Sequence, residues 1–407
     1  VPQEPSDATG QVRATVVGIG ADGWPGLAAA ARELVASAAV VVGGERHLDL
    51  LPAVPGQRRV AWPRPFDVGV VEQHPGCVVL ASGDPMLSGV GTTLVRRLGA
   101  GAVAVHPHVS SVALARARMG WSAEESVVLT TVGRHVERVL REVAPHCRLL
   151  VLSSDATTPE AVAGLLTAHG WGSAELTVLG DLGGPGESRH SGRAESWSVE
   201  APALHVLAVA CGEGGPVLGW APGLPDSAYE HDGQLTKRDV RASALARLAP
   251  CPGELLWDLG AGAGSVAIEW SRSHATCAAY AVERQPERAA TITRNARRLG
   301  VPDVQVLVGD SGALLDELPD PDAVFVGGGA TTAGLVDRCV ARLRPGGRLV
   351  VHGVTLETER VLADARATHG GELTRISVET AAPVGSYTGW TPARAVTQWS
   401  LVVGGAR

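Results

Sequence analysis

Short apolar runs that end in glycine turns recur along the 407-residue chain. Runs of four to eight apolar residues bounded by Gly, Pro or Asp predict strands buried on both faces. From Arg13, RATVVGIGADG is such a strand entering a turn at Gly18, Gly20 and Gly23. A helix is predicted from about Pro25 to Ser37, then a buried strand AVVVGG, with Arg46 and His47 near its terminus. A third strand opens CVVLASGDPMLSGVG and leads through Ser82-Gly83-Asp84-Pro85 to a helix start at Gly89 and Gly91. Pro85 fixes φ there, and Asp84 can cap the helix or hold a ligand. A second lobe is predicted from about Ser126 to Cys211, with strands near VVLTTV, RLLVLSS, AELTVLG and ALHVLAVAC and a helix from Pro159 to Ala168.

The stretch 212–222, rich in glycine and proline and without periodicity, reads as a linker. Beyond it, Leu255, Leu256 and Trp257 predict a strand with Asp258 at its carboxyl end. Gly260, Gly262 and Gly264 then turn the chain into a helix from Ser265 to about Ser273. Without side chains at those positions a ligand can approach the backbone, and the helix start offers unpaired N–H groups. A dinucleotide fingerprint needs glycine where Ser265 stands, which argues against NAD. The next strand, CAAYAVE, ends on Glu283, a carboxylate suited to two ribose hydroxyls. VQVLVGD ends on Asp310, placed for an adenine amino group, with Ser311 beside it. DAVFVGGG, a helix and RPGGRLVVHGV follow. This succession resembles the class I S-adenosylmethionine (SAM) methyltransferases. The resemblance puts Gly260, Ala261, Gly262, Ala263, Gly264, Glu283, Asp310 and Ser311 on SAM.

Composition narrows the class. The length predicts two domains of about 200 residues each. With 45% apolar and 19% charged residues, and no apolar run near the roughly 18 residues of a membrane span, a cytoplasmic protein without membrane contact is expected. VPQEPSDATGQVR lacks the basic head and apolar core of an export signal, so residues 1–12 read as a flexible tail. The six cysteines are scattered and read as buried thiols, with no metal site. The net charge of −7 and an aromatic content of 4% give neither the basic excess nor the stacking platforms of a nucleic-acid binder. Lys237 is the single lysine, which reads as compositional bias toward arginine rather than as a substrate signature.

Two further segments carry a family likeness. VGIGAD (17–22) and SGDPML (82–87) resemble the signature loops of the tetrapyrrole methylases, which bind SAM between two α/β lobes. The resemblance puts Gly18, Gly20, Ser82, Gly83, Asp84, Pro85 and Met86 on a SAM molecule. VHPHVSSVALARARMG is similar to the family's P-x-x-S-S segment, with His108 where a small residue often stands, and makes His108 a candidate substrate contact. In the second half, PDSAY and LTKRDVR resemble the start of the CbiT-type precorrin methyltransferases, where Thr236 would lie on SAM. HGVTLET and VGSYTGWTPARAV resemble their closing segments.

A CbiE-like half (13–211) joined to a CbiT-like half (223–407) implies an α/β protein. Its N-terminal two-lobed tetrapyrrole methylase fold is followed by a C-terminal Rossmann-like class I methyltransferase domain. The resemblance also implies a homo-oligomer and a tetrapyrrole substrate, methylated at C5 by the first half and at C15 by the second, with loss of the ring C acetate carboxyl. Methyl transfer from a sulfonium needs chiefly an in-line, near-attack arrangement. An enamine-like carbon would attack, and protonation of the conjugated system would make the electron sink for decarboxylation. The expected site is a shaped cleft with one acid or base near each reacting carbon. His352, just past the strand RLVVHGV, Tyr387 and Asp84 are the candidates for that role. Arg238 and Arg241 are candidate anchors for substrate carboxylates. An RNA methyltransferase with an accessory domain, or a SAM-binding protein with one inactive half, are the alternatives.

Overall fold

The computed structural model describes residues 12–404, so most of the tail expected at 1–12 lies outside the described residues. The chain divides into two compact units: residues up to Arg134 with Pro145–Gly214, and His135–Ala144 with residues from Gly215 onward. The boundary at 214/215 falls within the expected linker, but the segment 135–144, read as part of the first half, belongs to the second unit. Its anchors are specific. Arg138 pairs with Asp303 at 2.6 Å, and the Arg141 carbonyl accepts the Trp220 indole N–H at 3.1 Å.

The first unit holds β1 (Ala14–Ile19), α1 (Gly23–Gly26), α2 (Ala29–Ser37), β2 (Val40–Gly43), α3 (Glu45–Asp49), β3 (Arg58–Ala61), β4 (Cys77–Ser82), α4 (Val90–Leu98), β5 (Val103–His106) and α5 (Ser111–Met119). Its second lobe adds β6 (Val127–Thr130), β7 (Arg148–Leu152), α7 (Thr158–Ala168), β8 (Glu175–Gly180), β9 (Ser188–Arg193) and β10 (His205–Ala210). The intervening α6 (Val139–Glu142) lies in the segment that joins the second unit. One sheet is parallel, ordered β3-β2-β4-β1-β5; the other, β6-β7-β10-β8-β9, is mostly antiparallel. The helix expected over 25–37 is broken at Leu27 and Ala28 into α1 and α2. β3, β5 and β9 were not expected. β9 (SRHSGR) and β3 (RRVA) are edge strands, whose exposed faces need no apolar pattern.

The second unit holds α8 (Arg238–Leu248), β11 (Leu255–Leu259), α9 (Ser265–Ser273), β12 (Ala278–Glu283), α10 (Pro286–Arg298), β13 (Gln305–Val308), α11 (Ser311–Leu314), β14 (Ala323–Val326), α12 (Leu335–Arg342), β15 (Arg348–Gly353), α13 (Leu356–His369), β16 (Glu372–Ile376), β17 (Glu379–Val384), β18 (Tyr387–Pro392) and β19 (Val396–Val402). Seven strands form one sheet in the order β13-β12-β11-β14-β15-β19-β16, with β19 antiparallel to its neighbours. Helices cover both faces over two apolar clusters, and Trp257, Trp270 and Trp399 are fully enclosed. α10 shows why such helices form: Pro286 opens it, and Ala289, Ile292 and Ala296 place one apolar stripe on the sheet. The strand order reverses between β11 and β14, which is where open α/β sheets leave a crevice beyond the strand ends. No helix among the described residues is long and apolar enough to cross a membrane.

Candidate functional site

In the second unit the crevice beyond β11 and β14 is a cavity of about 630 Å³. Gly260, Ala261, Gly262 and Gly327 form its floor, the segment 233–240 one wall, and residues around Val354, Ile376 and Arg394 the other. Gly260 is required by geometry: its φ is +68°, and a Cβ there would lie 2.8 Å from the Gly328 backbone. Gly264, at φ +78°, caps the start of α9, and Ala263 is buried, its carbonyl accepting from Asn295 Nδ2 at 3.0 Å. The loop is held from two sides. Glu283 accepts the Gly262 N–H on Oε2 (2.9 Å) and the Gln285 N–H on Oε1 (3.0 Å), and Asp258 Oδ2 accepts the Ala267 N–H (2.9 Å). Asp258 Oδ1 has no partner, and burial pushes this carboxyl up to about 7, opposed by the Ala267 hydrogen bond and reinforced by the Glu283 charge.

The expected residues are distributed unevenly around this cavity. Thr236, Arg238, Gly260, Ala261, Gly262 and His352 line it; Glu283, Asp310 and Ser311 do not. Asp310 stands two residues past the end of β13, exposed, where it caps α11 by accepting the Gly312 N–H at 2.9 Å. His352 lies inside β15 rather than past it, and is buried in an edge-to-face contact with Phe325. Burial pushes its imidazole down to about 4, partly countered by a hydrogen bond to Gln398.

Two expectations are corrected. Arg241 is no substrate anchor: it is fully buried, pairs with Glu269 at 2.6 Å and Asp226 at 3.3 Å, and donates to the carbonyls of Leu224 and Thr236. With its guanidinium filled by protein acceptors it fastens α8 to the segment before it. Tyr387 does not stand at this cavity. It is 81% exposed at the tip of the β17–β18 hairpin and lines no part of the cavity wall. Arg394, which pattern reading passed over, does line it, and it has no ion pair among the described residues.

In the first unit β1 and β4 lie side by side, so the loops after Ile19 and Ser82 meet. They approach so closely that a Cβ on Gly18 would come within 1.9 Å of the Gly83 carbonyl oxygen. Gly20, Ser82 and Gly83 border a small cavity, about 80 Å³, with Arg46 from α3 and His205 from β10. Asp84 is tied to its own loop, accepting the Met86 N–H at 2.9 Å, and Met86 is exposed. Neither Asp84, Pro85 nor Met86 lines that cavity. His108 Nε2 meets the Asp22 carboxylate at 3.2 Å beside Gly20, an engagement with the loop rather than with open space.

Arg46, His47 and His205 carry no expected role from sequence. Arg46 Nη2 and His47 Nε2 reach Ser82 Oγ at 3.3 and 2.9 Å. Burial and, secondarily, the Arg46 charge hold His47 down to about 4. His205 Nδ1 donates to the Pro202 carbonyl at 2.7 Å, leaving Nε2 buried without a partner. The only sequence signal for Arg46 and His47 was their place after a strand; nothing marked His205. The expected burial of the cysteines fails at Cys251, which is exposed.

The chain matches two family models. Residues 13–196 match the tetrapyrrole (corrin/porphyrin) methylases, and residues 227–403 match the precorrin methyltransferase domain. A precorrin-6Y C(5,15)-methyltransferase [decarboxylating] from Sinorhizobium sp is 43% identical over 397 residues, covering 96% of each chain. The enzyme of the same name from Mycobacterium tuberculosis H37Rv is 43% identical over 398 residues, covering 95% of this chain and 98% of its own. Among solved structures, the C-terminal domain of precorrin-6Y C5,15-methyltransferase from Rhodobacter capsulatus is 43% identical, covers 45% of this chain and 98% of its own, and superposes with a TM-score of 0.43.

Proposed function

The chain belongs to the precorrin-6Y C5,15-methyltransferases (decarboxylating), and from that premise we propose that it methylates a reduced precorrin at C5 and C15 and removes one acetate carboxyl as CO₂. C5 methylation is assigned to the first unit, C15 methylation with decarboxylation to the second. The observation that carries the reading is that one chain holds two separate glycine cradles, each at the carboxyl ends of its own parallel strands and each bordering its own cavity.

The residues present fit SAM. At Gly260 the backbone takes the space a Cβ would need, and its loop borders a cavity of about 630 Å³ in which a nucleoside can make backbone contacts; in the first unit the loops at Gly18 and Gly83 pack on each other beside a cavity of about 80 Å³, which takes only part of one. SAM, when bound, supplies an electrophilic methyl group and a neutral thioether leaving group. The chain's own residues orient the macrocycle and handle charge. Lys237, Arg238 and Arg394 border the larger cavity and can hold peripheral carboxylates, although Lys237 is already 3.6 Å from Asp226. Arg46 offers a comparable cation in the first unit. Uncharged His352 sits on the wall where a proton can be moved. Homo-oligomeric assembly, implied by the family likeness, belongs to the same proposal and is read by sedimentation.

The test is incubation of the whole chain with SAM and a reduced precorrin, followed by mass spectrometry and quantitation of S-adenosylhomocysteine. The expected product carries two added methyl groups and lacks one CO₂, with two S-adenosylhomocysteines formed per product. Transfer of methyl groups without CO₂ loss, or no transfer at all, would refute the assignment.

A further inference from the structure

Two buried polar side chains face each other across β15 and β19. His352 and Gln398 are paired residues of the antiparallel ladder; His352 is 8% exposed and Gln398 fully enclosed. An unsatisfied polar group at such depth is costly, so the bonds they make bear on their orientation. Gln398 Nε2 donates to Ser243 Oγ at 3.3 Å, an oxygen that also accepts from Arg247 Nη1 at 3.2 Å. In this orientation of the amide, Gln398 Oε1 faces the imidazole, 2.9 Å from its Nε2. With the carbonyl oxygen on that side, which only accepts, the ring proton is on Nε2. In the neutral ring the lone pair is then on Nδ1. Nδ1 has no partner among the described residues, and it is not one of the atoms sealed from solvent. His352 is one of the residues that line the large cavity, which puts the ring at its wall.

We propose that His352 Nδ1 is the proton carrier of the decarboxylating step in the second unit, and that Gln398 is the positioning residue that keeps Nδ1 unprotonated and turned to the substrate. This rests on the function proposed above. The step balances without an outside acid. Methyl transfer leaves a positive charge on the macrocycle, and the C–C bond to the carboxylate breaks. Its electron pair neutralises the charge, CO₂ departs and an exocyclic CH₂ remains. Turning that CH₂ into a methyl group moves one proton from the macrocycle to the carbon, with no net gain or loss. Nδ1 accepts that proton and returns it. The charged groups facing the same cavity are Asp226, Lys237, Arg238, Asp239 and Arg394, and none is bonded to His352. The ring, pushed down to about 4 by burial, is neutral at neutral pH and free to accept.

The experiment uses the full chain with ring-¹⁵N-labelled histidine and three variants, His352→Asn, Gln398→Leu and Gln398→Glu. In the substrate-free wild type, the His352 nitrogens should show a protonated Nε2 and a bare Nδ1; the reverse tautomer overturns the proposal. His352→Asn should slow formation of the decarboxylated product about a hundredfold or more. Gln398→Leu should lower kcat for that product about tenfold with KM within a factor of two. Gln398→Glu, which keeps the acceptor and favours the imidazolium, should restore activity at high pH and move the acid limb of the profile upward. C5 methylation should proceed in all three. Wild-type rates of decarboxylation in His352→Asn, or a Gln398→Leu loss confined to KM, overturn the proposal and leave the function standing. Absence of both methylations in the wild type refutes the function itself.

Discussion

Asp258 gives a stability prediction whose sign and size both follow from its surroundings. It is enclosed at the end of β11, with one oxygen on the Ala267 N–H and the other unpartnered. Burial lifts its carboxyl from 3.8 to about 7. The folded-state pKa is thus above the unfolded one, and as pH rises the unfolded chain releases its proton first. The stability this group contributes is full below about pH 3.8. It falls by about 1.4 kcal/mol per pH unit and is lost by about pH 7, about 4 kcal/mol in all. Asp258→Asn keeps an oxygen for Ala267 and never ionises. Its stability relative to wild type should therefore climb by about 1.4 kcal/mol per pH unit between roughly pH 4 and 7, then level off. Urea unfolding followed by tryptophan fluorescence reads this, since Trp257, Trp270 and Trp399 are buried in the same unit. Other titrating groups are common to both proteins and cancel in the difference. A difference that is flat with pH, or that shrinks as pH rises, would show that Asp258 is not a desolvated carboxylate.

Arg241→Met should lower the stability of the second unit by about 3–5 kcal/mol, because Glu269 is left charged and buried; urea midpoints report it, and a raised KM with undiminished stability would restore the anchor role. Gly18→Ala and Gly260→Ala should each remove one of two S-adenosylhomocysteine binding events in calorimetry, since the added carbon falls 1.9 Å from the Gly83 oxygen or 2.8 Å from the Gly328 backbone. Two full-affinity events in either variant would count against that cradle. With a thiol reagent on the folded protein, Cys251 should react before Cys77, Cys277 and Cys339, whose thiols burial pushes up to about 11, 11 and 12. Peptide mapping that finds Cys339 modified first would refute this ordering.

The legible parts of the chain share one property: their meaning is local. β11, the turn through Gly260, Gly262 and Gly264, and α9 follow from neighbouring residues, because a strand that must bend at once into a helix admits few side chains. The loops at Gly18 and Ser82 are legible for the same reason. β3 and β9 were not, since edge strands are made by backbone pairing with a neighbour rather than by their own apolar content.

By itself the sequence determined the α/β class, the glycine-bearing loops after β1 and β11 and the family likeness, all of which rest on short-range pattern. Tertiary structure decided which polar groups are free. Arg238 and Arg241 sit three residues apart on one helix and read alike, yet one lines a cavity while the other is enclosed by Glu269 and Asp226. Gln398 meets His352 only because β19 runs antiparallel beside β15, 46 residues away along the chain. Availability for chemistry depends on burial and on partners brought from distant segments, and those exist only once the sheet has closed over them.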